Sequence, residues 1–233
     1  MADGRGEADR WWAGLLRVPE TAMRAGGVFA ASHLDHAGVV AVDGAAAPVV
    51  YGPADVIPLL RAATARADRE ALLQGDHLAG ALGARAGQLR GPAWYGYATA
   101  DTLAPAGSPA VREFSEADLP LLARLHEQVT VAERDESGTT GLPAYGYVDD
   151  GALLAVACLG EWQQMPTIGV LTHPRARCRG LARLVVAAAA REGLRRRAVV
   201  QYRAWHLNTA SISVALRTGF RHYGDALVIR LAR

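Results

Sequence analysis

The stretch IGVLTHPRARCRGLARLVVAAAA, residues 168–190, decides how the rest of the chain is read. From Ile168 to Thr172 both alternating sets of residues are apolar or β-compatible, which suits a strand buried on both faces. Pro174 ends that strand because it has no N–H for the ladder. Beyond the turn, Leu181, Leu184, Val185 and Ala188 recur at helical spacing. Between strand and helix lies Arg177-Cys178-Arg179-Gly180-Leu181-Ala182. Glycine and alanine there let a ligand approach the backbone, and a helix start presents unpaired N–H groups at the positive end of its dipole. With arginines leading into it, the turn reads as an anion cradle suited to a phosphate or pyrophosphate.

These residues, Pro174 to Ala182, resemble motif A of the GNAT N-acetyltransferases, an Arg/Gln-x-x-Gly-x-Gly/Ala pattern that follows a strand and opens a helix. Cys178 stands where that family often has glycine. A second stretch is similar to the family's motif B: Asn208-Thr209-Ala210-Ser211-Ile212, then Arg217-Thr218-Gly219-Phe220. The residues support this on their own terms, since Asn208 is a good N-cap and Gly219 sits where a helix end favours a positive φ. The resemblance covers roughly residues 110–233, about half the chain.

The resemblance implies an α/β fold with a mixed sheet, the GNAT acyl-CoA N-acyltransferase fold, over residues 109–233. It implies acetyl-CoA as co-substrate. Arg177, Cys178, Arg179, Gly180, Leu181 and Ala182 would hold its pyrophosphate. The backbone of Val170, Leu171 and Thr172 would pair with the pantetheine arm like an added strand, and Asn208 would contact the arm from the other side. A plain N-cap is the structural alternative for Asn208.

Residues 1–108 are expected to form an additional N-terminal α/β domain. Residues 1–9 read as a tail and Trp11 to Leu16 as a short helix. Three short β-like runs follow between Val28 and Tyr51, then helices over about 56–67 and 69–82, then an aromatic strand at 91–98. The order of these elements echoes part of a GNAT domain without an anion cradle, which suggests a degenerate, ligand-free copy. DTLAPAGSPA, residues 101–110, has the composition of a linker.

Composition narrows the partners. The chain has 233 residues, 51% hydrophobic and 21% charged, which describes a globular protein with ample core. A net charge of +2 gives a nucleic-acid role no electrostatic support. Cys158 and Cys178 make no disulfide framework, and no metal-ligand cluster is expected. There is no signal peptide, and no apolar run reaches the roughly 18 residues of a membrane span. The expectation is a cytoplasmic protein with no membrane partner, monomeric or homodimeric.

Acetyl transfer to an amine needs a base for the amine's proton and a proton for the departing thiolate. Glu133, in a charged segment read as a loop over 131–143, is the first candidate base. Asp135, Glu136, Glu161 and His206 are alternatives, and His173 is placed at the cofactor end. Many family members carry a tyrosine four residues before the Gly of Gly-Phe, and here that position is Ala215. Ser211, one turn earlier on the same face, is the candidate proton donor, with Tyr223 as the alternative. The acceptor is expected to be a small-molecule amine, with Trp94, Tyr95 and Tyr97 either walling its pocket or packing in the core. A non-catalytic acyl-CoA sensor is the rival reading.

Overall fold

The structure, a computed structural model, describes residues 4–232. Its first elements are α1 (Gly4–Leu16), α2 (Ala22–Ala25), β1 (Gly27–Ala30), β2 (His36–Val42), β3 (Val49–Gly52), α3 (Ile57–Thr64), α4 (Arg69–Gln74), α5 (Asp76–Leu82) and β4 (Ala86–Ala98). There follow β5 (Val111–Glu113), α6 (Leu119–Glu127), α7 (Val131–Ser137), β6 (Ala144–Asp149), β7 (Ala152–Trp162), β8 (Met165–Thr172), α8 (Leu181–Arg196), β9 (Val200–Trp205), α9 (Thr209–Thr218) and β10 (Arg221–Leu231). The protein is α/β with mixed strand pairing, as expected.

The chain forms two compact units. The first holds the residues through Tyr95 together with 204–209 and 222 onward, and the second holds 96–203 and 210–221. This division differs from a boundary at 108/109, because two late segments join the first unit. The cause is long-range pairing: β10 runs antiparallel to β2 from Gly224–Val42 to Arg230–His36.

In the first unit the strand order is β1-β3-β2-β10-β4. Val39, Val50, Leu60, Leu72, Leu78, Leu227 and Ile229 build its core. The helix expected over 69–82 is broken at Gly75 into α4 and α5. The expected tail is also corrected from Gly4 onward, where α1 begins, while residues 1–3 lie outside the described residues. Asp9 of α1 is buried and accepts hydrogen bonds from Tyr223 Oη and Arg24 Nε, both at 2.7 Å.

In the second unit the order is β9-β8-β7-β6-β5. β9 and β8 are parallel, and β8, β7, β6 and β5 follow antiparallel. Helix α8 lies against β6, β7 and β8. Its buried face is Leu181, Val185, Val186, Ala189, Ala190 and Gly193, rotated from the stripe expected through Leu184 and Ala188. The small residues on that face let the helix sit close to the strands. Leu122 and Leu125 of α6 join Phe114, Leu153, Val156, Cys158 and Leu171 in this unit's core.

The start of α6 is organised by a capping box rather than by Asp118 alone. Ser115 caps the short 3₁₀ turn 116–118, and Asp118 reaches back to the Ser115 N–H at 2.9 Å. Arg112 grips the same carboxylate through both terminal nitrogens. The Arg112 hydrogen bond, helped by that from the Ser115 backbone, holds the Asp118 carboxyl well below the usual range. A depressed folded-state value adds stability above the unfolded value, near 3.9 for aspartate, and that stability is lost as pH falls through the folded value. Asp118→Asn should therefore lower the urea midpoint at pH 7, and the gap to the parent protein should narrow when both are measured at pH 2.

Candidate active site

The turn from β8 into α8 is built by three local devices. His173 Nδ1 accepts the Arg175 N–H at 3.1 Å and caps a single 3₁₀ turn over Pro174–Ala176. Its expected place at the cofactor end therefore comes with a structural job. Cys178 then takes a left-handed conformation, φ 61°, and Gly180 takes another, φ 77°. Two such residues within three positions fold the chain back on itself. A positive φ is strained for a residue with a side chain such as Cys178 and free of strain for glycine. Leu181 opens α8 with no side-chain cap on its first turn, and a Cβ placed on Gly180 would meet nothing within 4 Å. The turn thus leaves open space before uncapped N–H groups of a long helix, with Arg175, Arg177 and Arg179 leading into it. These features fit a pyrophosphate.

Strand β8 is placed for the rest of an extended ligand. It pairs with β9 only at Thr167–Gln201 and Ile168–Tyr202. On its other edge it stays paired with β7 as far as Thr172. From Gly169 to Thr172, the stretch containing Val170, Leu171 and Thr172, the β9 side of the strand has no strand partner among the described residues. Gly169, at the point of divergence, is packed under the end of α7, where a Cβ would run into the carbonyl oxygens of Ser137 and Gly138.

That helix end is held by a hydrogen-bonded line which the sequence reading missed. Ser137 Oγ gives its proton to the Arg134 carbonyl at 2.7 Å. Thr139, buried, must then donate to Ser137 Oγ at 2.6 Å. His126 in turn donates from Nε2 to Thr139 Oγ1 at 2.9 Å, which selects its tautomer. Burial, with the Arg134 charge nearby, lowers the His126 pKa. No local motif marks this line, because it joins three residues through tertiary folding.

Glu133 is corrected from a loop residue to the third position of α7. There it completes a capping box: its Oε2 accepts from Thr130 N–H at 3.0 Å and Thr130 Oγ1 at 3.1 Å, while its own N–H donates to Thr130 Oγ1. Its Oε1 accepts from Arg177 Nη2 at 2.7 Å. Both oxygens are engaged. The Thr130 N–H, then the Thr130 hydroxyl and Arg177, lower its pKa, which makes it a weaker base. Asp135 pairs with Arg134, and Glu136 and Glu161 are exposed.

On the β9–α9 side of the second unit, Ser211 Oγ lies 2.8 Å from Tyr202 Oη. Burial raises the Tyr202 phenol to about 12, so it stays protonated. Ala215 is fully buried. Tyr97 is also in this core, accepting from Gln201 Nε2 at 2.8 Å. In the first unit, Asn208 donates its N–H to the Trp205 carbonyl at 2.9 Å. Two residues earlier, His206 Nε2 meets Asp225 Oδ1 at 2.6 Å, and His222 Nε2 meets the same oxygen at 3.1 Å. Burial alone would raise Asp225, but the hydrogen bonds and charge of the two histidines outweigh it and lower its pKa. Tyr223 points inward to Asp9, so it is committed there rather than offered as a proton donor. Trp94 stacks on His222, and Tyr95 meets Trp12 edge to face. All three aromatics of residues 94–97 are buried, so they pack in cores.

No family model and no curated protein sequence matches the chain. Solved structures do match. A GNAT-family protein from Novosphingobium aromaticivorans is 20% identical with a TM-score of 0.50, over 64% of this chain and 67% of its own. An acetyltransferase of the GNAT family from Colwellia psychrerythraea is 14% identical with a TM-score of 0.49, over 70% of this chain and 63% of its own.

The fold is that of the GNAT family.

The chain thus spans about two thirds of the length of each of these structures. Within the GNAT fold, the two stretches first singled out, the β8–α8 turn and the start of α9, each follow a strand of the second unit's sheet order. Among the described residues no group of three or more His, Cys, Asp or Glu could hold a metal ion, and no helix is long and apolar enough to cross a membrane.

The fit of α7 over Gly169 is open to a direct check. Gly169→Ala must push Ser137 and Gly138 off β8, and overpacking of this kind costs about 1–3 kcal/mol. A loss of that size in the urea-unfolding free energy is the expected result.

Proposed function

We propose that the protein is an acetyl-CoA-dependent N-acetyltransferase that moves an acetyl group directly from the thioester to an amine. The observation that carries this reading is the cradle: an open, doubly left-handed turn with arginines before an uncapped helix of sixteen residues, at the end of a strand that loses its parallel partner partway. Arg177, Cys178, Arg179, Gly180, Leu181 and Ala182 would hold the pyrophosphate through backbone N–H groups and guanidinium charge. Val170, Leu171 and Thr172 would offer backbone groups on the edge that β9 leaves, and Asn208 would hold the arm as the family resemblance implies.

When bound, the thioester supplies an activated acetyl group. This chain's residues would orient it, keep its carbonyl near backbone N–H donors and provide a proton for the leaving thiolate. Ser211 is the donor in this reading: it protonates the thiolate and is made good by the proton that the amine loses on acylation, and the Tyr202 phenol beside it fixes where its oxygen lies. A carboxylate held below its ordinary range is a poor proton acceptor at neutral pH, which weighs against the expectation that Glu133 is the base. The acceptor is a small-molecule amine, and the exposed carboxylates of Asp135 and Glu136 on α7 favour a cationic one.

Calorimetric titration with acetyl-CoA tests the reading. The native protein should bind saturably. Gly180→Trp fills the open hollow and should weaken binding at least tenfold, and its melting curve should still show a single folded transition. A panel of amines should then release free thiol from acetyl-CoA with the native protein. Absence of binding by the native protein would sink the transferase reading.

A further inference from the structure

We infer that Glu133 is the counter-ion of the cradle, and that the cofactor's pyrophosphate takes Arg177 over from it, uncoupling α7 from the cradle as the cofactor enters. The inference rests on the reading of the cradle as a pyrophosphate site.

Three observations carry it. First, the ion pair joins two parts of the site that are far apart in sequence. Arg177 in the cradle and Glu133 in α7 are separated by 44 residues and meet at 2.7 Å. Second, the pair is exchangeable. Both side chains are about two-fifths exposed, so solvent competes for each of them and the pair is weakly held. A pyrophosphate offers more charge and more acceptor oxygens than one carboxylate, and the arginine fork matches phosphate well. Third, Glu133 stays where it is when Arg177 leaves. Its other oxygen is tied to the N–H and hydroxyl of Thr130, and that capping box belongs to α7 alone. Its negative charge therefore remains beside the incoming phosphates and opposes them.

The consequence reaches beyond the cradle. The opposite end of α7, at Ser137 and Gly138, rests on Gly169, where β8 parts from β9. One short helix thus touches both the anion end of the site and the strand opening. While Arg177 holds Glu133, α7 is tied down at both ends. When the phosphates hold Arg177, the tie between α7 and the cradle is released while the Gly169 contact is kept.

Glu133→Gln makes a clean test because glutamine at the third helix position still completes the capping box. The variant removes the charge and keeps α7. Coenzyme A binding is measured by calorimetry for the native protein, Glu133→Gln, Arg177→Gln and the double variant, with melting curves confirming that each is folded. Removing an opposing surface charge should tighten binding by about two- to five-fold in Glu133→Gln. Arg177→Gln should weaken binding, and adding Glu133→Gln to it should recover part of the loss, because the Glu133 charge opposes the phosphates whether or not Arg177 is present. Unchanged or weaker binding by folded Glu133→Gln would overturn the inference while leaving the transferase reading intact. So would loss of amine turnover with unchanged affinity, which would return Glu133 to the role of base. If neither the native protein nor Glu133→Gln binds coenzyme A, both readings fall together.

Discussion

The parting of β8 from β9 is the constraint on which the second unit's site depends. The two strands share rungs at Thr167–Gln201 and Ile168–Tyr202, and then, among the described residues, β8 continues with β7 as its strand partner. A strand edge presents N–H and C=O groups that need partners, and a bound chain of suitable length supplies them in the manner of an added strand. The same parting sets the start of the cradle, because β8 ends at Thr172 and the turn capped by His173 follows at once. Filling the edge with a longer β9 pairing would satisfy the backbone and remove the site.

Part of the arginine charge near this opening is balanced within the fold. Arg177 carries a partner of its own in Glu133. In the first unit Asp225 serves a similar end, with His206, His222 and, at 3.7 Å, Arg69 gathered about one buried carboxylate. Burying that carboxylate is tolerable because the hydrogen bonds from the two histidines and the nearby Arg69 offset the desolvation. The two clusters differ in exposure. Asp225 is almost wholly buried and its partners organise a loop, whereas Glu133 is open to solvent and its arginine can change partners.

The local parts of this arrangement were legible in the sequence. The apolar run 168–172, Pro174 and the arginines before Gly180 announce strand, turn and helix by chemistry that acts within a few residues. What escaped was whatever needed distant partners. A charged stretch such as Glu133-Arg134-Asp135-Glu136 reads as loop because it has no apolar stripe, yet Thr130 and Glu133 carry the capping-box pattern that starts α7. The boundary expected near residue 108 followed a linker-like composition, while the actual grouping follows β10's pairing with β2, which no local pattern encodes. Tyr223 looked available in the last loop and is instead spent on Asp9, more than two hundred residues away.

The position where the family resemblance leads one to expect a tyrosine is filled by the buried Ala215. Ala215 is fully sealed, and Phe220 donates its backbone N–H to the Ala215 carbonyl, so this turn of α9 is closed against the core. A phenol nevertheless reaches the same helix from the strand before it. Tyr202 sits on the last rung shared with β8, packs edge to face on Phe220 and meets Ser211 one helical turn ahead of Ala215. Burial keeps that phenol neutral, so it holds a hydroxyl dipole in place instead of bringing a charge. A serine whose oxygen is fixed in this way loses less entropy when it hydrogen-bonds a developing anion than one free to rotate.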